Sequence, residues 1–280
     1  MPVSESKVYF FQGRNPGLGR VAPGLKTLLT IAGLDPSSGA GVTADLAVFA
    51  AHDFFGTSAV TALTVQSTTG VDGVQVIAPE WLRNTLATLC ADMRPAGVKV
   101  GMLGSAENVA VVARFLEGLQ GVPVVLDPVL VSSSGRPLLE AKGIAAMRDT
   151  LLGVVDWVTP NIAELGVLVG AERGVEGGCA ELRRQWPGLN IVATGGDRDA
   201  NDYVCAQEKA WLKGTRIASK ATHGTGCAFS SALLCGLLEG LNGVEAGRRA
   251  KAYVAEAIRR GPGLGKGLGP MDLFWPLRMG

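Results

Sequence analysis

Six short apolar runs, at residues 27–32, 60–65, 98–101, 122–126, 154–158 and 190–193, recur along the chain, each separated from the next by enough residues for a crossover helix. Their apolarity is continuous instead of alternating, as in strands covered on both faces. Right-handed crossovers between such strands build a mostly parallel central sheet flanked by helices, a layered α/β/α domain. Helical spacing follows a glycine-rich turn over 40–52. It recurs over 79–93, where Pro79 starts a helix with Leu82, Leu86, Leu89 and Met93 on one face. Two further helices are expected over 227–239 and 244–260, and hairpin-like pieces over 203–217. Residues 1–26 lack periodicity and read as a loose N-terminal extension before a single domain spanning 27–280.

Composition narrows the class of function. The 280 residues are 47% hydrophobic, enough for one large core, and 39 glycines without collagen-like spacing point to turns and close backbone approaches. A net charge of +1 disfavours a broad nucleic-acid or anionic-membrane surface. The longest uncharged stretches, 54–71 and 221–238, are crowded with Thr or opened by a Thr-His-Gly-Thr-Gly turn, so neither reads as a membrane span. No secretory h-region or cleavage site marks the start, so the cytoplasm is the expected address. Five cysteines without a C-x-x-C pair and two histidines argue against structural zinc and for reduced thiols.

In open parallel sheets ligands collect beyond the carboxyl ends of strands, so the loops after the apolar runs carry the expected chemistry. The first, Gly33 to Gly41, holds Asp35, Ser37 and Ser38 before a helix. It suits backbone approach to a ligand, and equally a tight turn with Asp35 or a serine as cap. It is not a dinucleotide fingerprint, and the only G-x-G-x-G run, Gly263 to Gly269, has no helix behind it. Asp127 and the Asn161/Glu164 pair follow two consecutive runs. Two carboxylates there suit a hydrated Mg2+, although Asp127 also suits a turn and Asn161 a helix cap. The strongest local signal is Thr222-His223-Gly224-Thr225-Gly226-Cys227 before an apolar helix. Small residues at a helix start leave N–H groups open to an anion, such as a transferring phosphoryl group. The dipole there also favours a Cys227 thiolate able to act as a base; an ordinary buried cysteine fits the same spacing.

From Thr27 onward the chain resembles the hydroxymethylpyrimidine/phosphomethylpyrimidine kinases of thiamine biosynthesis, in the ribokinase-like superfamily. The resemblance rests on Thr30-Ile31-Ala32-Gly33 with Asp35-Pro36-Ser37, Thr43-Ala44-Asp45-Leu46, Gln66, Lys99-Val100-Gly101-Met102-Leu103, Asp127-Pro128-Val129, Thr159-Pro160-Asn161 with Glu164, the Thr222–Cys227 motif and Gly265 to Pro270. It implies a ribokinase-like fold, ATP with Mg2+, a homodimer and two successive phosphoryl transfers, to the pyrimidine's hydroxymethyl group and then to its monophosphate. By resemblance, Gly33, Asp45, Gln66, Met102 and Val129 bind the pyrimidine. Asn161, Thr194 and Gly196 meet the nucleotide, Asp127 and Glu164 serve the metal, and Gly224, Thr225, Gly226 and Cys227 carry catalysis. One Gln66 amide can donate to a ring nitrogen and accept from an exocyclic amine.

One departure stands out. Where that family usually has Lys-Gly-Gly-His, this chain has Thr194-Gly195-Gly196-Asp197, so either another Lys or Arg meets the phosphates or nucleotide affinity is reduced. Competing readings are a pyridoxal kinase of the same superfamily and a catalytically weak pyrimidine-binding protein. Cys227, Asp127 and Glu164 speak against the latter, because a pure binder needs neither base nor metal carboxylates. The missing fingerprint makes a nicotinamide-dependent oxidoreductase a poor fit.

Overall fold

The computed structural model describes residues 24–132, 134–195 and 200–278. The expected extension over 1–26 therefore falls almost wholly outside the described residues, and so does Gly196. One nine-stranded sheet organises the rest, in the order β3-β2-β1-β4-β5-β6-β7-β8-β9. Its strands are β1 (Thr27–Leu34), β2 (Phe55–Ser67), β3 (Gly70–Val76), β4 (Gly97–Val100), β5 (Val124–Leu126), β6 (Trp157–Val158), β7 (Asn190–Ala193), β8 (Asp202–Cys205) and β9 (Lys209–Leu212). The six strands from β2 to β7 in that order run parallel, while β3, β8 and β9 pair antiparallel at the two edges. The expected mostly parallel sheet is thus present.

Both faces of the sheet are covered, which explains the continuous apolarity of the strands. On one face α2 (Pro79–Asp92), α3 (Ala106–Glu117), α4 (Ala141–Ala146), α5 (Ile162–Val169) and α6 (Gly174–Gln185) enclose Leu29, Ile31, Val98, Val100, Leu126, Val158 and Ile191. On the other, α1 (Gly41–Ala51), α7 (Thr225–Leu238) and α8 (Gly243–Arg259) enclose Leu28, Val125, Trp157, Val192 and Val204. Leu82 and Leu86 bury the apolar face expected for α2. Truncating such a residue to alanine removes about 2–5 kcal/mol.

Three local features differ from the sequence reading. The run at 60–65 is the middle of β2, which pairs with β1 from Phe55 and continues as a ribbon with β3 to Ser67. β3 was not anticipated because Gly70-Val-Asp-Gly-Val-Gln-Val has no sustained apolar run. Of residues 154–158 only Trp157 and Val158 form strand; a π-helical turn, Met147–Leu151, extends the preceding helical segment. The remaining elements agree within a few residues, the β8–β9 hairpin included.

Candidate active site

The loop leaving β1 is organised around Asp35. Its Oδ1 accepts from the Ser37 amide (2.8 Å) and hydroxyl (2.7 Å), and its Oδ2 from the Ala40 amide (3.0 Å). His223 Nε2 stands 2.7 Å from the same Oδ2, with both side chains buried. Burial pushes the Asp35 carboxyl up, but the hydrogen bonds from His223 and Ser37 outweigh it and hold the group below its ordinary value. The β1 loop is thereby stapled to the segment before α7. The staple depends on Gly39, where any Cβ would collide with the His223 ring.

Gln66, near the end of β2, reaches the same ring: its Nε2 lies 3.0 Å from His223 Nε2, and Thr64 Oγ1 lies 3.2 Å from its Oε1. Met102 beyond β4 packs beside Gly33, where a Cβ would stand 3.0 Å from the Met102 sulfur. Gln66 and His223 border a cavity of about 350 Å³, completed by Ser67 to Val71, Ser134, Lys220 and Lys266 to Leu268. Gly267 donates to Thr68 Oγ1 at 3.3 Å, which brings the β2–β3 turn onto the C-terminal glycine-rich segment.

Across the sheet ends, α7 begins with Gly224 as cap residue at φ 79° and no side chain caps it. A Cβ there would strike the Gly39 carbonyl as well as strain the backbone, so the turn requires glycine. The first turn, Thr225, Gly226 and Cys227, faces Asp127 at the end of β5: a Cβ on Gly226 would lie 3.6 Å from Asp127 Oδ2. The Cys227 thiol and, at 3.5 Å, the Ser230 hydroxyl hydrogen-bond to the Asp127 carboxylate. Burial pushes the thiol up to about 12; Asp127 and Asp45 add to the rise, while Lys99 and the Gly41 amide only partly oppose it. The expected thiolate is therefore not the resting form. One helix dipole does not outweigh desolvation beside two carboxylates.

Asn161 and Glu164 form the capping box of α5: Glu164 N donates to Asn161 Oδ1 and Asn161 N to Glu164 Oε2, both at 2.9 Å. The cap reading of Asn161 holds. Burial first, then the Asp127 charge, pushes Glu164 up to about 8 against hydrogen bonds from the Asn161 and Leu130 amides. Burial and Asp45 likewise raise Asp127, despite the Lys99 ammonium nearby. Val129 follows in the same loop, half-buried. Thr194 at the end of β7 bridges to Asn161. Below that loop the Lys251 ammonium is committed to Asp202 (2.6 Å) and the Ala200 carbonyl (2.5 Å).

Asp45 requires a correction. It is fully buried in α1, its Oδ2 bonded to Thr30 Oγ1 (2.6 Å) and Lys99 Nζ (2.9 Å) and its Oδ1 to Ser231 Oγ (2.8 Å). With both oxygens occupied and no exposure it contacts no ring; it is the counter-ion of an equally buried Lys99. Burial alone would drive that ammonium's pKa down, but Asp45, foremost among its neighbours, reverses the effect and raises it. Removing one partner of such a pair costs about 3–5 kcal/mol.

Residues 35–272 match the family model described as phosphomethylpyrimidine kinase. The chain belongs to the phosphomethylpyrimidine kinase family. The kinase is 38% identical over 256 residues to the hydroxymethylpyrimidine/phosphomethylpyrimidine kinase of Streptomyces coelicolor, covering 89% of this chain and 95% of the relative. It is 37% identical to a bifunctional thiamine biosynthesis protein of Geobacter sulfurreducens, covering 88% of this chain and 52% of that protein. In three dimensions it resembles the Staphylococcus aureus pyridoxal kinase in complex with pyridoxal, at a TM-score of 0.81 and 30% identity over 91% of this chain and 96% of the other. That enzyme is also known in complexes with ADP and with AMP-PCP. The chain is therefore a phosphotransferase, and its fold is ribokinase-like.

Of the expected site residues, Gly33 and Met102 pack together beside the strand that carries Gln66, while Asp127 lies against the first turn of α7 and acts electrostatically on Glu164. Residue types alone missed the part played by His223, although it lies inside the motif singled out before α7. They also missed Lys99, which looks like any surface lysine until β4 places it inside the sheet.

Proposed function

We propose that the kinase phosphorylates 4-amino-5-hydroxymethyl-2-methylpyrimidine with ATP and then converts the monophosphate to the diphosphate, supplying thiamine biosynthesis. The observation carrying this reading is the uncapped N terminus of α7 beside Asp127, supported by Gln66 at the border of the adjoining cavity. Gly33, Met102 and Val129 wall the ring, and Asn161, Thr194 and Gly196 meet the nucleotide. The nucleotide complexes of the S. aureus neighbour support ATP as donor. Lys220 and Lys266, which line the cavity beside Gln66, supply positive charge that Thr194 does not.

The hydroxymethyl oxygen bonds to the γ-phosphorus as that phosphorus parts from the β,γ-bridging oxygen, and ADP leaves. The amides of Thr225, Gly226 and Cys227 take the charge on the transferring group. The hydroxyl proton passes to Cys227, whose own proton moves to Asp127 along the hydrogen bond already present. Asp127 and Glu164 fit a divalent cation, because burial raises both carboxylates and the Asp127 charge raises Glu164 further, a penalty on their charged forms that a cation relieves. A pair of carboxylates suits a hydrated Mg2+ completed by phosphate oxygens. Such an ion would neutralise charge on the β- and γ-phosphates. We also assign a homodimer, supported by exposed Leu63 and Val65 on the β2–β3 ribbon. The kinase works on phosphorylated metabolites and no helix among the described residues is long and apolar enough to cross a membrane, which supports a cytoplasmic address.

The likeness to the S. aureus pyridoxal kinase favours pyridoxal as a second substrate. ATP consumption with hydroxymethylpyrimidine, its monophosphate and pyridoxal side by side decides between them. Turnover of both pyrimidines in excess of pyridoxal is expected, and turnover of pyridoxal alone would overturn the pyrimidine reading.

A further inference from the structure

We infer that His223 is a positioning residue that locks the Gln66 amide in one orientation, and that the site thereby selects rings whose edge presents a nitrogen acceptor beside an amino donor. This rests on the proposal that Gln66 faces the substrate ring.

Asp35 accepts from Ser37 twice and from Ala40, and lies 2.7 Å from His223 Nε2. A carboxylate with that many donors acts only as an acceptor, so His223 Nε2 carries its proton and donates to Asp35. The same Nε2 lies 3.0 Å from the Gln66 amide nitrogen. Two N–H groups at that distance have no acceptor between them. Turning the amide by 180° moves no other atom and puts Oε1 against the His223 N–H, which then serves Asp35 and Gln66 together. At the other end the turned amide sets its nitrogen against Thr64 Oγ1, 3.2 Å away at the present Oε1 position. The Thr64 hydroxyl donates to the Leu34 carbonyl at 2.9 Å, so its oxygen is free to accept. Every polar atom of the turned amide then has a complementary neighbour; the unturned amide lacks one at His223.

The locked amide leaves one N–H and one oxygen lone pair for the substrate, in a fixed order along the ring edge. An aminopyrimidine edge meets them as acceptor and donor. Its 4-oxo counterpart, with an N–H and a carbonyl in those places, meets donor with donor and acceptor with acceptor. A free amide would rotate to accept either ring.

The test is the ratio of kcat/KM for the amino and the oxo ring, with calorimetric affinities for both. Wild-type enzyme is expected to prefer the amino ring by about 100-fold, the cost of mispaired buried hydrogen bonds. In His223→Leu the preference collapses to within about fivefold, with the KM for ATP nearly unchanged. In His223→Gln, which restores a donor at the Nε2 position, most of the preference returns. Since His223→Leu leaves the buried Asp35 carboxylate without its partner, Asp35→Asn/His223→Leu is measured in parallel and should show the same collapse. An undiminished preference in the folded leucine variants, or a loss in His223→Gln as complete as in His223→Leu, would overturn the inference alone. Wild-type enzyme that neither binds nor phosphorylates either pyrimidine would overturn the pyrimidine reading and this inference with it.

Discussion

At Cys227 the position suits a base while the resting thiol is a donor, hydrogen-bonded to Asp127 and raised to about 12. Proton acceptance then needs both side chains. Cys227→Ala is expected to keep ATP and pyrimidine affinity while kcat falls by about 10²- to 10⁴-fold, the range for a positioned proton acceptor. Cys227→Asp should recover part of that loss. A wild-type kcat in Cys227→Ala, measured where chemistry limits turnover, would make the cysteine a packing residue. Asp127 and Cys227 stood out in the sequence because one follows a strand and the other opens a helix, where a parallel sheet collects its ligands, whereas Gln66 came from the family resemblance. Asp45 was assigned to the substrate by resemblance alone, and nothing in its local sequence announces the buried Lys99 that β4 brings against it.

The capping box that starts α5 couples the shape of an element to the charge of the site. Burial and the Asp127 charge push Glu164 from an ordinary 4.5 up to about 8 in the fold. The folded state therefore holds the extra proton between those values, and stability falls as pH rises through that window. Melting temperature without divalent cations is expected to drop between about pH 5 and pH 8, and Glu164→Gln should flatten that slope. A wild-type slope that survives the substitution would assign the titration elsewhere. Among the elements, the strands buried on both faces were legible from their uninterrupted apolarity. β3 was not, since its half-exposed residues are specified by pairing with β2, a partner that local sequence does not announce.

One sheet runs from Thr27 to Leu212 and helices pack on both of its faces, so residues 27–280 are expected to unfold as a single domain. Leu63 and Val65 lie two residues apart on one face of the β2–β3 ribbon and remain exposed at 44% and 66%. A dimer through this ribbon predicts one calorimetric transition whose midpoint rises with protein concentration. In Val65→Glu that dependence should vanish and light scattering should report a monomer. A wild-type enzyme that scatters as a monomer at all concentrations would remove the dimer. The two-faced covering of the sheet also orders events during synthesis. The helices on one face are interleaved with the strands and emerge alongside them, whereas the other face must wait for α7 and α8. Until residues 225–259 leave the ribosome, Leu28, Val125, Trp157, Val192 and Val204 lack most of their cover, a surface that invites association between nascent chains. Of the two helices that seal this surface, α7 is the one whose first turn forms the proposed phosphoryl site, so cover for the sheet and the proposed site arrive at the same late stage.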